Sequence, residues 1–135
     1  MLIEFKVSNY RSICEEQIIS MVPASKQTDF PDNIINYGNY RILNALALYG
    51  PNSSGKSNII KAMELLDQLL FVSANTRSTS KLPYDPFLLK EGYASKPTTF
   101  EITFVIEKTR YRYGLEYNQT EIISSVLPSL SEAET

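Results

Sequence analysis

Histidine is absent from the 135 residues, and cysteine occurs once, at Cys14. The first absence removes every Ser-His-Asp or Cys-His catalytic arrangement, and the two together remove Cys/His metal clusters. A lone cysteine forms no internal disulfide. Nothing near Cys14 in sequence activates it, so it reads as a passive thiol. Excess charge of one sign is also lacking, with a formal net charge of −2 and a pI near 5.2. Any nucleic-acid or acidic-membrane partner would therefore have to be held by a local patch, because the overall charge supplies no attraction. No apolar run is long enough to cross a bilayer, and Glu4 and Lys6 interrupt the N-terminus where a signal peptide needs its apolar core. The expectation is a cytoplasmic protein.

The 43% hydrophobic content, with 11% aromatics, is enough for a folded core and argues against a disordered chain. Residues 1–126 read as one domain, and 127–135, "LPSLSEAET", as a polar tail expected to fray. In "LIEFKVSNY", Ile3, Phe5 and Val7 alternate with Glu4, Lys6 and Ser8, the period of a half-buried strand, and a second strand is expected in "EQIISMV". Residues 23–40, with Pro23, Pro31, Gly38 and several Asn and Asp residues, read as a surface loop. From Ile42 to Tyr49 the chain is nearly continuously apolar, as expected of a strand buried on both faces of a mostly parallel or mixed sheet.

Ile59, Ile60, Met63, Leu66, Leu69 and Leu70 recur at spacings of three and four, which predicts an amphipathic helix over 56–72. Residues 73–97 form a second long connection, with "PYDPF" turn-like. Strands are expected again in "TTFEITFVIE", "RYRYGLEY" and "TEIISSV", the first two joined by a hairpin at "KT". Tyr111, Tyr113, Leu115 and Tyr117 share one strand face and Arg110 and Arg112 the other. This separates aromatic from basic residues and argues for a core face and a solvated face over a single-strand nucleic-acid platform.

Between the buried strand and the helix lies Gly50-Pro51-Asn52-Ser53-Ser54-Gly55-Lys56-Ser57, which satisfies Gly-x-x-x-x-Gly-Lys-Ser/Thr. With glycine at about 7% of residues, a chance match in a chain of this length has odds of roughly one in a few hundred. The strand before it and the helix after it, both read from other residues, are the context a phosphate-binding loop requires. Gly50 and Gly55 permit backbone angles that let the N–H groups of residues 52–57 turn inward around a phosphate. The helix start adds unpaired N–H groups and a positive dipole end. Lys56 is placed to reach the β- and γ-phosphates, and the Ser57 hydroxyl to ligate magnesium, so the expected cofactors are ATP and Mg2+.

"GPNSSGKSNIIKAM" resembles the Walker A of SMC- and RecF-like ABC-type ATPases, in which Asn at the third loop position and Asn after the Ser, here Asn52 and Asn58, are usual. Asn9-Tyr10-Arg11-Ser12 resembles the Asn-aromatic-Arg/Lys-Ser motif that closes the first strand of those ATPase heads. More narrowly, residues 1–125 are similar to the N-terminal part of bacterial AAA-labelled ATPases of the abortive-infection and OLD-like kind, although only the two motifs are specific. The sequence departs from the pattern at Ser53, where the family has a central loop glycine.

The resemblance implies an α/β P-loop NTPase fold, a mixed sheet with an antiparallel β portion, forming the N-terminal lobe of an ABC-type ATPase head. It places Arg11 and Ser12 near the nucleotide; for Arg11 a solvated arginine at a strand end is the equal alternative. It also implies a partial head, needing a C-terminal lobe and a second head in a homodimer, with phage defence or DNA maintenance as the setting. The Walker B Asp-Glu, signature motif and catalytic glutamate of such heads are not found in this chain, and Glu107 after "TFVI" sits in an alternating pattern that suits an antiparallel strand better. Gln68 and Gln119 are the glutamines that offer a water- or magnesium-contacting amide, and neither has context that selects it. Two other classes stay open. One is a small P-loop kinase, with Arg77 as its only lid-like arginine. The other is a non-catalytic nucleotide-responsive interaction module.

Overall fold

A computed structural model describes residues 1–24, 29–51, 55–75, 81–126 and 131–132. Its centre is an antiparallel sheet. β1 (Leu2–Ser8) pairs on one side with β2 (Gln17–Ser20) and on the other with β5 (Thr98–Ile106); β6 (Thr109–Tyr117) and β7 (Ile122–Val126) follow outward. Ser131 and Glu132 form a short β8 that pairs with Arg110 and Thr109, so this part of the expected tail is held by the sheet. A separate hairpin, β3 (Ile34–Tyr37) with β4 (Tyr40–Leu43), lies within and just beyond the stretch read as a loop. Its two-residue turn has Gly38 first, at φ 61, where a side chain would be strained.

The helix α1 spans Lys56–Asn75 and packs on one face of the sheet. Ala62, Leu65, Leu66 and Leu69 are buried there with Phe5, Val7, Phe100, Leu115 and Tyr117, while Ile59 and Met63 lie at the margin. Each leucine so buried contributes about 1.5–3 kcal/mol. The buried stripe is rotated from the expected one: Ile60 is 50% exposed, whereas Ala62 and Leu65 face the core. β1 buries every second residue as its alternation predicts, and β6 likewise exposes Arg110 and Arg112 while burying Leu115 and Tyr117.

β5 departs from simple alternation. It buries Phe100 toward α1, then Thr103 and Val105 on the opposite face, and leaves Ile106 exposed. The reason is a change of cover. Beyond Ile102 the opposite face is packed by Ile42 of the β3–β4 hairpin and by Ile3, with Met21, Tyr37 and Tyr40 around them. A register shift between Leu2 and Glu4 accompanies the change.

Two sequence expectations are corrected, the strand over 42–49 and the position of the β5–β6 turn. The buried strand read over 42–49 is a strand only as far as Leu43; residues 44–50 carry no strand pairing, and Leu46, Leu48 and Tyr49 are exposed. A strand buried on both faces needs neighbours on both edges, and among the described residues none pairs with 46–49. Likewise, all described strand pairs are antiparallel, so these residues supply the antiparallel portion of the expected mixed sheet. The turn between β5 and β6 falls at Glu107-Lys108, one residue before the expected "KT". Both residues adopt left-handed φ (48 and 68), the signs of a type I′ turn. Among the described residues no helix is long and apolar enough to cross a membrane.

Candidate functional site

The site grows from the start of α1. Gly55, immediately before the helix, has φ 84, open to glycine and strained for other residues. The helix begins at Lys56, and the N–H groups of Asn58 and Ile59 donate to Gly55 O at 3.1 and 3.3 Å. The Lys56 ammonium folds back to donate to the carbonyl oxygen of Gly50, bridging the first and last parts of the loop. Ser57 is exposed beside it. The positions of Asn52, Ser53 and Ser54 lie outside the described residues, as does Arg77; Pro51 is exposed.

The second motif closes over this helix start. After β1 the chain turns tightly, with Tyr10 and Ile13 bridging each other and both buried in the core. Ser12 at the turn's outer corner accepts a hydrogen bond from Asn58 Nδ2 at 2.6 Å. A Cβ at residue 55 would sit 2.9 Å from the Ser12 Oγ, so the turn approaches the loop closely only because Gly55 has no side chain. The structure therefore brings Ser12, Gly55 and Asn58 together.

Arg11 is engaged elsewhere. Its N–H donates to Asp85 O at 2.8 Å, its Nε pairs with Asp85 Oδ2 at 2.8 Å, and its guanidinium lies 5.5 Å from the centre of the Tyr10 ring. Arg11, Asp85, Tyr10, Lys61, Glu64 and Gln68 line an open cleft of about 340 Å3 alongside α1. Gln68 therefore stands more than three turns along the helix from Lys56, while Gln119 lies at the β6–β7 junction, its carbonyl accepting from Leu82 N–H at 2.9 Å. A second cleft, of about 430 Å3, opens on the other side of Ser12 between Gly55, Ile59 and Gln17.

Two contributors were not legible as such. Asn9, 2% exposed at φ 53, donates from its side-chain amide to Tyr93 O (2.9 Å) and Lys96 O (2.8 Å) and accepts from Phe87 N–H (2.9 Å). Its own carbonyl accepts from Thr98 Oγ1 at 2.7 Å. Asp85, in the turn-like "PYDPF", is the partner that fixes Arg11. The motif signalled Asn9 as a residue, but its partners lie nearly 80 residues away and more.

Burial raises the pKa of the Tyr10, Tyr84 and Tyr117 hydroxyls, most of all Tyr117, which donates to Pro83 O at 2.7 Å. These tyrosines are neutral fixtures beneath the site. Glu107, the one glutamate that follows an apolar run, lies in the β5–β6 turn beside the β3–β4 hairpin, where the Lys108 side chain approaches Gly38. The nine residues of β5 separate it from the Asn9–Ile13 turn by roughly 30 Å.

A helix entered through a left-handed glycine, a lysine on its first residue and a serine after it define an α/β domain of P-loop ATPase-like type. The family model described as "AAA domain, putative AbiEii toxin, Type IV TA system" matches residues 45–135, and the chain belongs to that family. Comparison with curated proteins and with solved structures finds no match.

Proposed function

We propose that the chain binds Mg-ATP through Gly50–Ser57 as part of an ABC-type, SMC/OLD-like ATPase head. The observation that carries this reading is the junction at residues 55–57: Gly55 at φ 84, followed by Lys56 and an exposed Ser57 at the N-terminus of a 20-residue helix. Such a junction directs N–H groups, the positive helix end and an ammonium at one point, which suits the phosphates of a nucleotide. Among the described residues no three acidic or thiol side chains gather into a metal cluster. Magnesium at this site would take its ligands from Ser57 and from the phosphates, and would neutralise the charge between them.

The exposed apolar stretch after Leu43 supports a second lobe. Leu46 and Leu48 are 44% and 39% exposed in a segment whose composition suits a sheet interior. Neighbouring strands supplied by a C-terminal lobe would cover them, and a second head would complete the nucleotide site in a homodimer. The setting we favour is phage defence or DNA maintenance, on the likeness of the two motifs to abortive-infection and OLD-like ATPases.

Lys56→Ala tests the site. Lys56 is outside the core, so the variant should keep its circular dichroism spectrum while ATP affinity in calorimetric titration falls by about tenfold or more, the worth of a hydrogen bond to a charged group. Unchanged ATP binding in a folded variant would sink the assignment.

A further inference from the structure

The Asn9–Ile13 turn has partners on two sides, at the start of α1 and in the connection before β5. Toward the helix start, Ser12 accepts from Asn58 and rests against Gly55. Toward the connection before β5, the Arg11 N–H and guanidinium both hold Asp85, and the Asn9 side chain holds Phe87, Tyr93 and Lys96. Between these grips the backbone has little freedom. Asn9 and Arg11 sit at φ 53 and φ 50. Asparagine tolerates that region, but arginine adopts it only where its surroundings over-determine it. Tyr10 and Ile13 are anchored in the core. Ser12 is thus linked on one side to Asn58 and, through the backbone of Arg11 and Asn9, on the other to Asp85 and Phe87.

We infer that Ser12 and Asn58 are a positioning pair, and that the Asn9–Ile13 turn couples the first turn of α1 to residues 85–97, so that a ligand on the loop and the conformation of that connection bias each other. Ser12 and Asp85 then act on the phosphate-binding loop without touching the ligand. The coupling itself needs only the contacts above. Its extension to nucleotide rests on the function proposed for Gly50–Ser57. Because coupling is reciprocal, anything that reshapes residues 85–97 changes nucleotide affinity by the factor with which nucleotide reshapes them.

Amide hydrogen exchange on the 135-residue chain reads this directly, since the N–H groups of Arg11, Asn58, Ile59 and Phe87 all donate across the link or at its ends. In nucleotide-free protein, Ser12→Ala should speed exchange at Phe87, and Asp85→Asn should speed it at Asn58 and Ile59, each by roughly three- to tenfold. Ser12→Thr, which keeps the hydroxyl, should restore the wild-type rates. Adding Mg-ATP to wild type should slow exchange at Phe87, and in Ser12→Ala this distant protection should be lost while protection at Asn58 persists. Changes confined to the mutated residue's own side of the turn would overturn the coupling. If Mg-ATP alters nothing in wild type while the nucleotide-free variants behave as expected, the coupling stands and the nucleotide reading falls.

Discussion

Tyr117 shows how much one buried hydroxyl can demand. It is fully buried, stacks on Phe100 with ring centroids 6.1 Å apart, and spends its only donor on Pro83 O. Burial penalises the phenolate, so its folded pKa lies well above the ordinary value near 10. The sign follows: the unfolded chain releases this proton first as pH rises, so the stability is fully present below about pH 10 and is lost above it. Tyr10 and Tyr84 act in the same direction. Urea midpoints should therefore hold steady to about pH 9.5 and decline beyond it. Tyr117→Phe should lower stability at pH 7 by about 1 kcal/mol for the lost hydrogen bond, read as a lower urea midpoint, and make the alkaline decline shallower. An alkaline decline as steep in Tyr117→Phe as in wild type would remove Tyr117 as its cause. By contrast, the Arg11–Asp85 pair is exposed on both sides and adds within about 1 kcal/mol to stability; its weight lies in fixing the turn.

Among the elements, the β5–β6 hairpin is the least well served by its sequence. Glu107 and Lys108 both take left-handed φ, a region that costs side chains other than Asn, Asp and Gly about 1 kcal/mol or more each. The paired strands on either side, nine residues each, hold the turn in place. Replacing the pair by Asn-Gly should raise stability by about 1 kcal/mol, seen as a higher thermal midpoint with nucleotide binding unchanged. A lower midpoint would show that the turn is not of the type I′ kind. This hairpin also marks what sequence can reveal. β1, β6 and α1 were legible because each turns one side to the core, and periodicity records that even though the buried stripe of α1 is rotated from the expected one. β5 was legible as a strand but not in which residues it buries, because its cover passes from α1 to the β3–β4 hairpin at mid-strand, a fact located in Ile42 and Ile3. β3 was hidden by the turn-rich composition around it, although Ile34, Ile35 and Tyr37 carry the apolar residues of a strand. At the site, Gly55, Lys56, Ser57 and Ser12 stood in motifs. Asp85 and the bonding of Asn9 did not, since contacts across some 75 to 90 residues leave no local pattern.

For the molecule as a whole, the proposed function separates binding from turnover. On the function proposed here, the loop, helix end and Lys56 would supply charge and position for the β- and γ-phosphates, but transfer to water also needs a group that orients the nucleophile and more positive charge on the moving phosphoryl group. Three carboxylates of the described residues do not meet that need. Asp85 is committed to Arg11, Glu101 is held by Arg112 and Lys6 with its pKa lowered by them, and Glu107 lies a strand's length away. In ABC-type heads, which the two motifs resemble, the missing groups come from a Walker B lobe and from the signature motif of an opposing subunit. The 135-residue chain should therefore bind Mg-ATP saturably in calorimetry and release phosphate at no more than a trace rate in a continuous assay. Steady hydrolysis that Lys56→Ala abolishes and Glu107→Gln leaves intact would show that a water-orienting group lies close to the loop. The first candidate would then be Glu15, which lines the cleft shared by Ser12 and Gly55, tested by replacing it with alanine and repeating the phosphate-release assay.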